Sequence, residues 1–179
     1  MQSQPSPKIC HTAEGILIHD NKVLLIKHKK LQIWLPPGGH QEKDEFLHQT
    51  SEREFLEETG IKVKAFSSHP LIKSKSQKFH PIPINIGLHW ISPQNYSYRL
   101  KSAHPNRRTR NSKWPKGCEK HLSHMFLVQS IEKPIIKLNS QEADDVQWFT
   151  LSKLQASVDN DLFKTLQIAL NHHQTPNIN

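Results

Sequence analysis

The stretch from Gly39 to Ile61 reads GHQEKDEFLHQTSEREFLEETGI, and its second half decides how this part of the chain must fold. From Phe46 to Glu58 there is neither glycine nor proline, and Leu47, Ser51 and Phe55 recur at i, i+4 and i+8. That spacing lines small and apolar groups along one stripe, so a helix is predicted over 46–58, packed on a core and closed by Gly60. The same spacing sets Glu54, Glu57 and Glu58 at i, i+3 and i+4, three carboxylates on one face within a turn. Like charges so close together are unfavourable without a cation. Hard carboxylate oxygens suit magnesium, which keeps its remaining positions for water or phosphate oxygens. Arg53 can pair with Glu57 four residues on and fix its orientation.

Working outward, Ala13 to His19 and Lys22 to His28 are apolar and β-rich, and Asp20-Asn21 between them suits a tight turn, which makes a hairpin. Trp34-Leu35 then lead into Pro36-Pro37-Gly38-Gly39, a loop whose prolines remove donors and whose glycines admit close approach. Beyond the helix, extended segments are expected around 62–72, 82–91 and 122–131, with a last strand or turn at 147–149. A terminal helix over 161–171 carries Leu162, Leu166, Ile168 and Leu170 on one side. Trp34, Trp90 and Trp148 sit among apolar residues and are expected in the core. The pattern is α/β with a mixed sheet.

The chain has 179 residues, a length that suits one domain. That domain is expected over 10–171, with frayed tails at 1–9 and 172–179. Twenty-four Lys and Arg against sixteen Asp and Glu leave a formal charge of +8, which favours an anionic ligand without saying which one. Cys10 and Cys118 lie far apart with no secretory segment before them, so no disulfide and a reducing, cytoplasmic setting are expected. No apolar run is long enough for a membrane-spanning helix.

The motif in the opening stretch is specific. Gly39 is followed after five residues by Glu45, after seven more by Arg53-Glu54, and then by Phe55, Leu56, Glu57-Glu58, Thr59, Gly60 and Ile61. Every position matches the signature of the Nudix hydrolases, which this chain resembles over most of 11–170, including "HKKLQIWLPPGGH" before the box and "VQWFTLSKL" near the end. A chance match has odds of roughly one in ten million. The resemblance implies a loop–helix–loop on an α/β/α sandwich, with Glu54, Glu57 and Glu58 as metal ligands, the Gly39 carbonyl as a further one, and Arg53 and Glu45 as supporting residues. It implies a Mg2+-dependent hydrolase, with Mn2+ able to substitute, that cleaves the phosphoanhydride bond of a nucleoside diphosphate linked to another moiety. The base in such enzymes is a box glutamate or an acid from a later loop, here Glu57 or Glu142. Gln77 and Lys78 stand where some relatives carry a proline or tyrosine that marks the substrate.

Two further signals are weaker. The polar stretch 92–120 holds Arg99, Lys101, Arg107, Arg108, Arg110, Lys113, Lys116 and Lys120 with Tyr96, Tyr98 and Trp114 among them, and a single acid, Glu119. It reads as a solvated insertion, or as a clamp in which Arg107, Arg108, Arg110 and Trp114 bind substrate or RNA. The second class of function is thus a catalytically silent nucleotide sensor or RNA-binding protein, monomeric or homodimeric. Cys118, His121 and His124, with Cys10-His11, have the spacing of zinc ligands, but strand alternation would turn His121 and His124 to opposite faces, so no zinc site is expected.

Overall fold

In the computed structural model, which describes residues 5–101 and 117–174, the hairpin forms between β1 (Ile9–His19) and β2 (Lys22–His28). Asp20 and Asn21 both take positive φ, 48° and 56°, as a two-residue turn whose twist suits its strands requires. Next come β3 (Trp34–Leu35), β4 (Gly38–His40), α1 (Leu47–Thr59), β5 (Val63–Phe66), β6 (Asn85–Trp90), α2 (Pro93–Lys101), β7 (Lys120–Ser130), β8 (Ala143–Phe149), α3 (Leu151–Ser157) and α4 (Asn160–Gln174).

The sheet is mixed because β1 and β7 run parallel, in register from Ile9↔Lys120 to Leu17↔Val128, while the other described pairs are antiparallel. On its far edge β1 takes β4 at Thr12–Glu14 and β2 at Ile18–His19. The far edge of β7 takes β6 and then β5. Residues of β1 therefore alternate between two covered faces. Ala13 and Leu17 pack with Phe55 of α1, and Ile16 packs with Leu154 of α3 and Leu162, Leu166 and Leu170 of α4. Helices on both faces make the α/β/α sandwich that the motif implied.

Helix α1 follows the expected stripe. Ser51 and Phe55 are fully buried and Leu47 packs beside them, and Gly60, at φ 73°, ends the helix by donating its N–H to the Leu56 carbonyl. In α4 one expected position differs. Ile168 is half exposed and Ala169 is buried in its place, because Leu162, Leu166, Ala169 and Leu170 follow the 3.6-residue period more closely. Trp34 and Trp148 pack on the two cores, but Trp90 is 44% exposed on β6, with the Tyr96 ring of α2 at 5.5 Å and the Lys120 ammonium 4.6 Å from its ring.

The polar insertion begins as a helix, and two of its charges are structural. Arg99 of α2 is buried and forks onto Glu119, Nε to Oε1 at 2.6 Å and Nη2 to Oε2 at 2.8 Å. Burial pushes the Glu119 carboxyl up, but the Arg99 bonds and the Lys8 N–H outweigh it and hold the group below its ordinary range. In the stretch expected to fray, the Pro5 carbonyl accepts from Tyr96 Oη and the Ser6 carbonyl from Arg99 Nη2. Arg107, Arg108, Arg110 and Trp114 lie outside the described residues.

The expectation for the cysteines is corrected: Cys10 and Cys118 are joined as a disulfide, with Cα atoms 5.9 Å apart. Their 108-residue separation in sequence is closed by the β1–β7 pairing, which sets Cys10 beside His121, three residues beyond Cys118. Among the described residues, no helix is long and apolar enough to cross a membrane.

Arg99→Ala should lower stability by about 3 kcal/mol, because it leaves the Glu119 carboxylate buried without its cation. Chemical denaturation checks this, and Arg99→Leu combined with Glu119→Leu should recover part of the loss.

Candidate active site

The loop from Pro36 to His40 reaches α1 through hydrogen bonds that its sequence makes possible. The Gly38 N–H donates to Glu58 Oε2 at 2.8 Å. A Cβ on Gly39 would come within 2.3 Å of Glu54 Oε1 and push that carboxylate aside, and a Cβ on Gly38 would meet the Ala13 carbonyl at 2.5 Å, backbone that cannot give way. The two glycines thus lay the backbone directly against two of the three box carboxylates.

Arg53 ties the group together. Its guanidinium donates to Glu45 Oε1 at 2.7 Å and Oε2 at 3.2 Å, to Glu54 Oε1 at 2.9 Å, to Glu57 Oε2 at 3.0 Å and to the His40 carbonyl at 3.1 Å. Thr50 Oγ1 donates to Glu45 at 2.8 Å, so both carboxylate oxygens of Glu45 are occupied. Arg53 and Thr50 hold the Glu45 carboxyl below its ordinary range, and Glu45 in turn raises the Arg53 guanidinium. The i, i+4 pair read from the sequence is present, as one part of a larger network.

The carboxylates differ in exposure. Glu57 is half exposed, Glu54 partly buried, and Glu58 almost fully buried. Burial pushes the Glu58 carboxyl up to about 8 against the Gly38 N–H, and the charges of Glu54, Glu142 and Glu57 add to the rise. Burial also raises Glu54, over the opposing hydrogen bond from Arg53. Glu142 is exposed in the turn before β8, and its charge acts on both Glu54 and Glu58.

A fourth carboxylate was not anticipated. Glu14, in the middle of β1, stands opposite Gly38 and accepts from Ser123 Oγ at 2.7 Å and Thr12 Oγ1 at 3.0 Å. Burial pushes it up to about 7, and the charge of Glu54 contributes. The available signal was an acidic residue in an otherwise apolar strand, AEGILI, at a position whose neighbours two residues away face the interior.

Glu14, Gly38 and Gly39 line a cavity of about 660 Å³ that extends past Ser123 to Leu162 and Asp161 of α4. Its size suits a small molecule of roughly nucleotide dimensions. Among the described residues neither Lys nor Arg lines it. The donor set fits a hard divalent cation: carboxylates crowded by burial and mutual repulsion, with backbone laid against them, gain most from one.

The profile of the NUDIX domain matches residues 11–167, a span that takes in β1, the box and most of α4. The chain belongs to the NUDIX family. Among curated relatives, an 8-oxo-dGTP diphosphatase of Buchnera aphidicola subsp. Schizaphis graminum is 36% identical over 63 residues, which cover 33% of this chain and 48% of that protein. The m7GpppN-mRNA hydrolase NUDT17 of Danio rerio is 38% identical over 56 residues, 31% of this chain and 19% of that protein. The matched segments thus span less than half the length of these relatives. Among solved structures, a NUDIX-family hydrolase of Clostridium perfringens superposes with a TM-score of 0.67 at 19% identity, over 92% of this chain and 97% of that one. The likeness extends over nearly the whole fold.

Within this NUDIX fold, the structure brings together Glu45, Arg53, Glu54, Glu57, Glu58 and Gly39 and adds Glu14, with Glu142 near enough for its charge to act on Glu54 and Glu58. Glu14 and Glu58 have raised folded-state pKa values, so without metal the folded protein holds more protons than the unfolded chain between about pH 5 and 8. Stability in EDTA should therefore fall as pH rises from 7 to 8.5, a window above the ordinary histidine range. The midpoint shift should be on the order of 3 °C, and Mg2+ at pH 8.5 should reverse it. Thermal melts across that range, with and without metal, check the sign.

Proposed function

We propose that this NUDIX protein hydrolyses the phosphoanhydride bond of a nucleoside diphosphate linked to another moiety, using Mg2+ held by Glu54, Glu57 and Glu58 with the Gly39 carbonyl. Mn2+ can take its place. The observation that carries this reading is the pair of box carboxylates, Glu54 and Glu58, laid against the backbone of Gly38 and Gly39, two glycines that with Glu14 line a cavity whose walls, among the described residues, hold no lysine or arginine. A substrate bearing two phosphates needs its charge met there, and carboxylates alone would repel it. When bound, the metal supplies that positive charge and acidifies a coordinated water.

The protein residues have separate tasks. Arg53 holds Glu54 and Glu57 in position and is itself fixed by Glu45, so it orients the carboxylates without touching the substrate. Gly38 and Gly39 bring the box loop against α1. Leu35, Ile26 and Leu162 form an apolar wall on which a base or other ring can lie. Glu57 and Glu142 are the candidate bases, since both are exposed and both exert charge on the buried carboxylates.

The names of two relatives bear on the substrate. One is called an 8-oxo-dGTP diphosphatase and the other an m7GpppN-mRNA hydrolase, and both names describe anhydrides of a nucleotide. We infer a nucleotide-type substrate, with capped RNA as one member of that class and the basic stretch 99–120, apart from the buried Arg99, as its contact. We place the activity in the cytoplasm, where a reducing medium would keep Cys10 and Cys118 as thiols.

Glu57→Gln should lower turnover by at least about a hundredfold while leaving the melting temperature in Mg2+-free buffer nearly unchanged. A Mg2+-dependent release screen over nucleoside triphosphates, ADP-ribose, nucleotide sugars, dinucleoside polyphosphates and capped RNA checks this. Saturable binding with no release from any of them would replace the hydrolase with a silent sensor. Glu142→Gln with turnover lost and metal affinity kept would identify Glu142 as the base; turnover kept would leave Glu57.

A further inference from the structure

The fold collects a second group of ligating atoms that differs in chemistry from the carboxylate box. Cys10 of β1, His40 at the end of β4 and Cys118 just before β7 place their ligand atoms within 4.8 Å of one another. His40 Nε2 lies 3.2 Å from Cys118 Sγ. The His121 ring packs edge-on against His40 with centroids 4.7 Å apart, and His121 is the register partner of Cys10, so both side chains project from the same face of the sheet. His124 is turned to the other face, where it stacks on His11 at 5.7 Å.

We propose that, with its two cysteines reduced, this protein binds one zinc ion through Cys10, Cys118 and His40, with His121 as the fourth ligand. Two thiolates and imidazole are soft to borderline donors and form a set that prefers zinc, whereas the box carboxylates prefer magnesium. A tetrahedral ion bound at about 2.3 Å holds two sulfurs about 3.8 Å apart. The 5.9 Å between the two Cα atoms accommodates that separation by side-chain rotation, as it accommodates the disulfide. Disulfide and zinc site are alternative states of the same two sulfurs. A dithiol reductant supplies two electrons and two protons to break the S–S bond and becomes a disulfide itself, and zinc then displaces a proton from each cysteine thiol.

The site joins three segments that are remote in sequence: the start of β1, the loop carrying Gly38 and Gly39, and the entry to β7. His40 belongs to the box loop, and its carbonyl accepts from Arg53 Nη2 at 3.1 Å. Zinc on the His40 ring therefore anchors the residue whose backbone receives the organising arginine. This inference does not rest on the proposed hydrolysis, because it concerns other residues and is read without activity.

The test is Co2+ titration of the full-length protein after reduction with a dithiol and its removal under anaerobic conditions. One equivalent should bind with a thiolate-to-cobalt charge-transfer band and ligand-field bands of tetrahedral intensity. Zn2+ should abolish them and excess Mg2+ should not. Cys118→Ser should remove the charge-transfer band, or reduce it together with affinity. His40→Gln should weaken Co2+ binding by at least about tenfold, since loss of an outer partner alone can cost that much. His124→Gln should titrate like the parent, and thermal melts in EDTA establish that each variant is folded. Reduced parent protein whose two thiols react with a thiol reagent yet give no charge-transfer band overturns the proposal. So does a band that persists in folded His40→Gln at unchanged affinity.

Discussion

Arg53 stands among Glu45, Glu54 and Glu57 and reaches the His40 carbonyl, so a single guanidinium sets the relative positions of helix α1 and the loop above it. The constraint it answers is electrostatic. Glu54 and Glu58 face inward from one turn of helix, with Glu57 beside them and Glu14 across the gap from β1. Burial raises the protonation range of three of these groups, which makes the protein without metal a compromise between folding and charge. Much of the surrounding architecture serves to keep that compromise in place: two glycines that admit backbone next to carboxylate, a threonine on Glu45, and Phe55 pinning α1 to the sheet.

The parallel pairing of β1 with β7 is the second determinant. It sets Glu14 on the face where Ser123 can donate to it, and it brings the two cysteines and His121 to one end of the same face. That face is where the cavity opens, with Glu14 and the glycine loop at one side and α4 at the other. Among the described residues, no lysine or arginine lines the cavity. The charge of Arg99 is consumed internally by Glu119 and holds α2 and the Ser6 backbone to the strand that carries the site.

What could be read in advance was local. The box helix, its buried stripe, the Arg53–Glu57 pair and the hairpin turn all depend on contacts between residues no more than about eight apart, where spacing alone fixes which side chains meet. The two-faced covering of the sheet was implied by the resemblance to the Nudix family, while the residues by themselves read as α/β with a mixed sheet. The exact apolar face of α4 was read one position off, with Ile168 in place of Ala169, because a pattern of leucines does not show how a helix is rotated against its neighbours. Trp90 was expected inside because it is apolar, but on β6 it stays 44% exposed, with the Tyr96 ring of α2 and the Lys120 ammonium against its ring.

The sequence by itself determined the family, the α/β/α class and the three box carboxylates, because the motif is contiguous and a helix converts its spacing into a face without help from the rest of the chain. Only the tertiary structure decided the partners of Glu14, the pairing of Arg99 with Glu119, and the meeting of Cys10, His40 and Cys118. Each of these joins residues from different strands or segments. Their proximity is set by strand register and by the choice of a parallel β1–β7 pair, and neither leaves a periodic trace in the residues that it brings together.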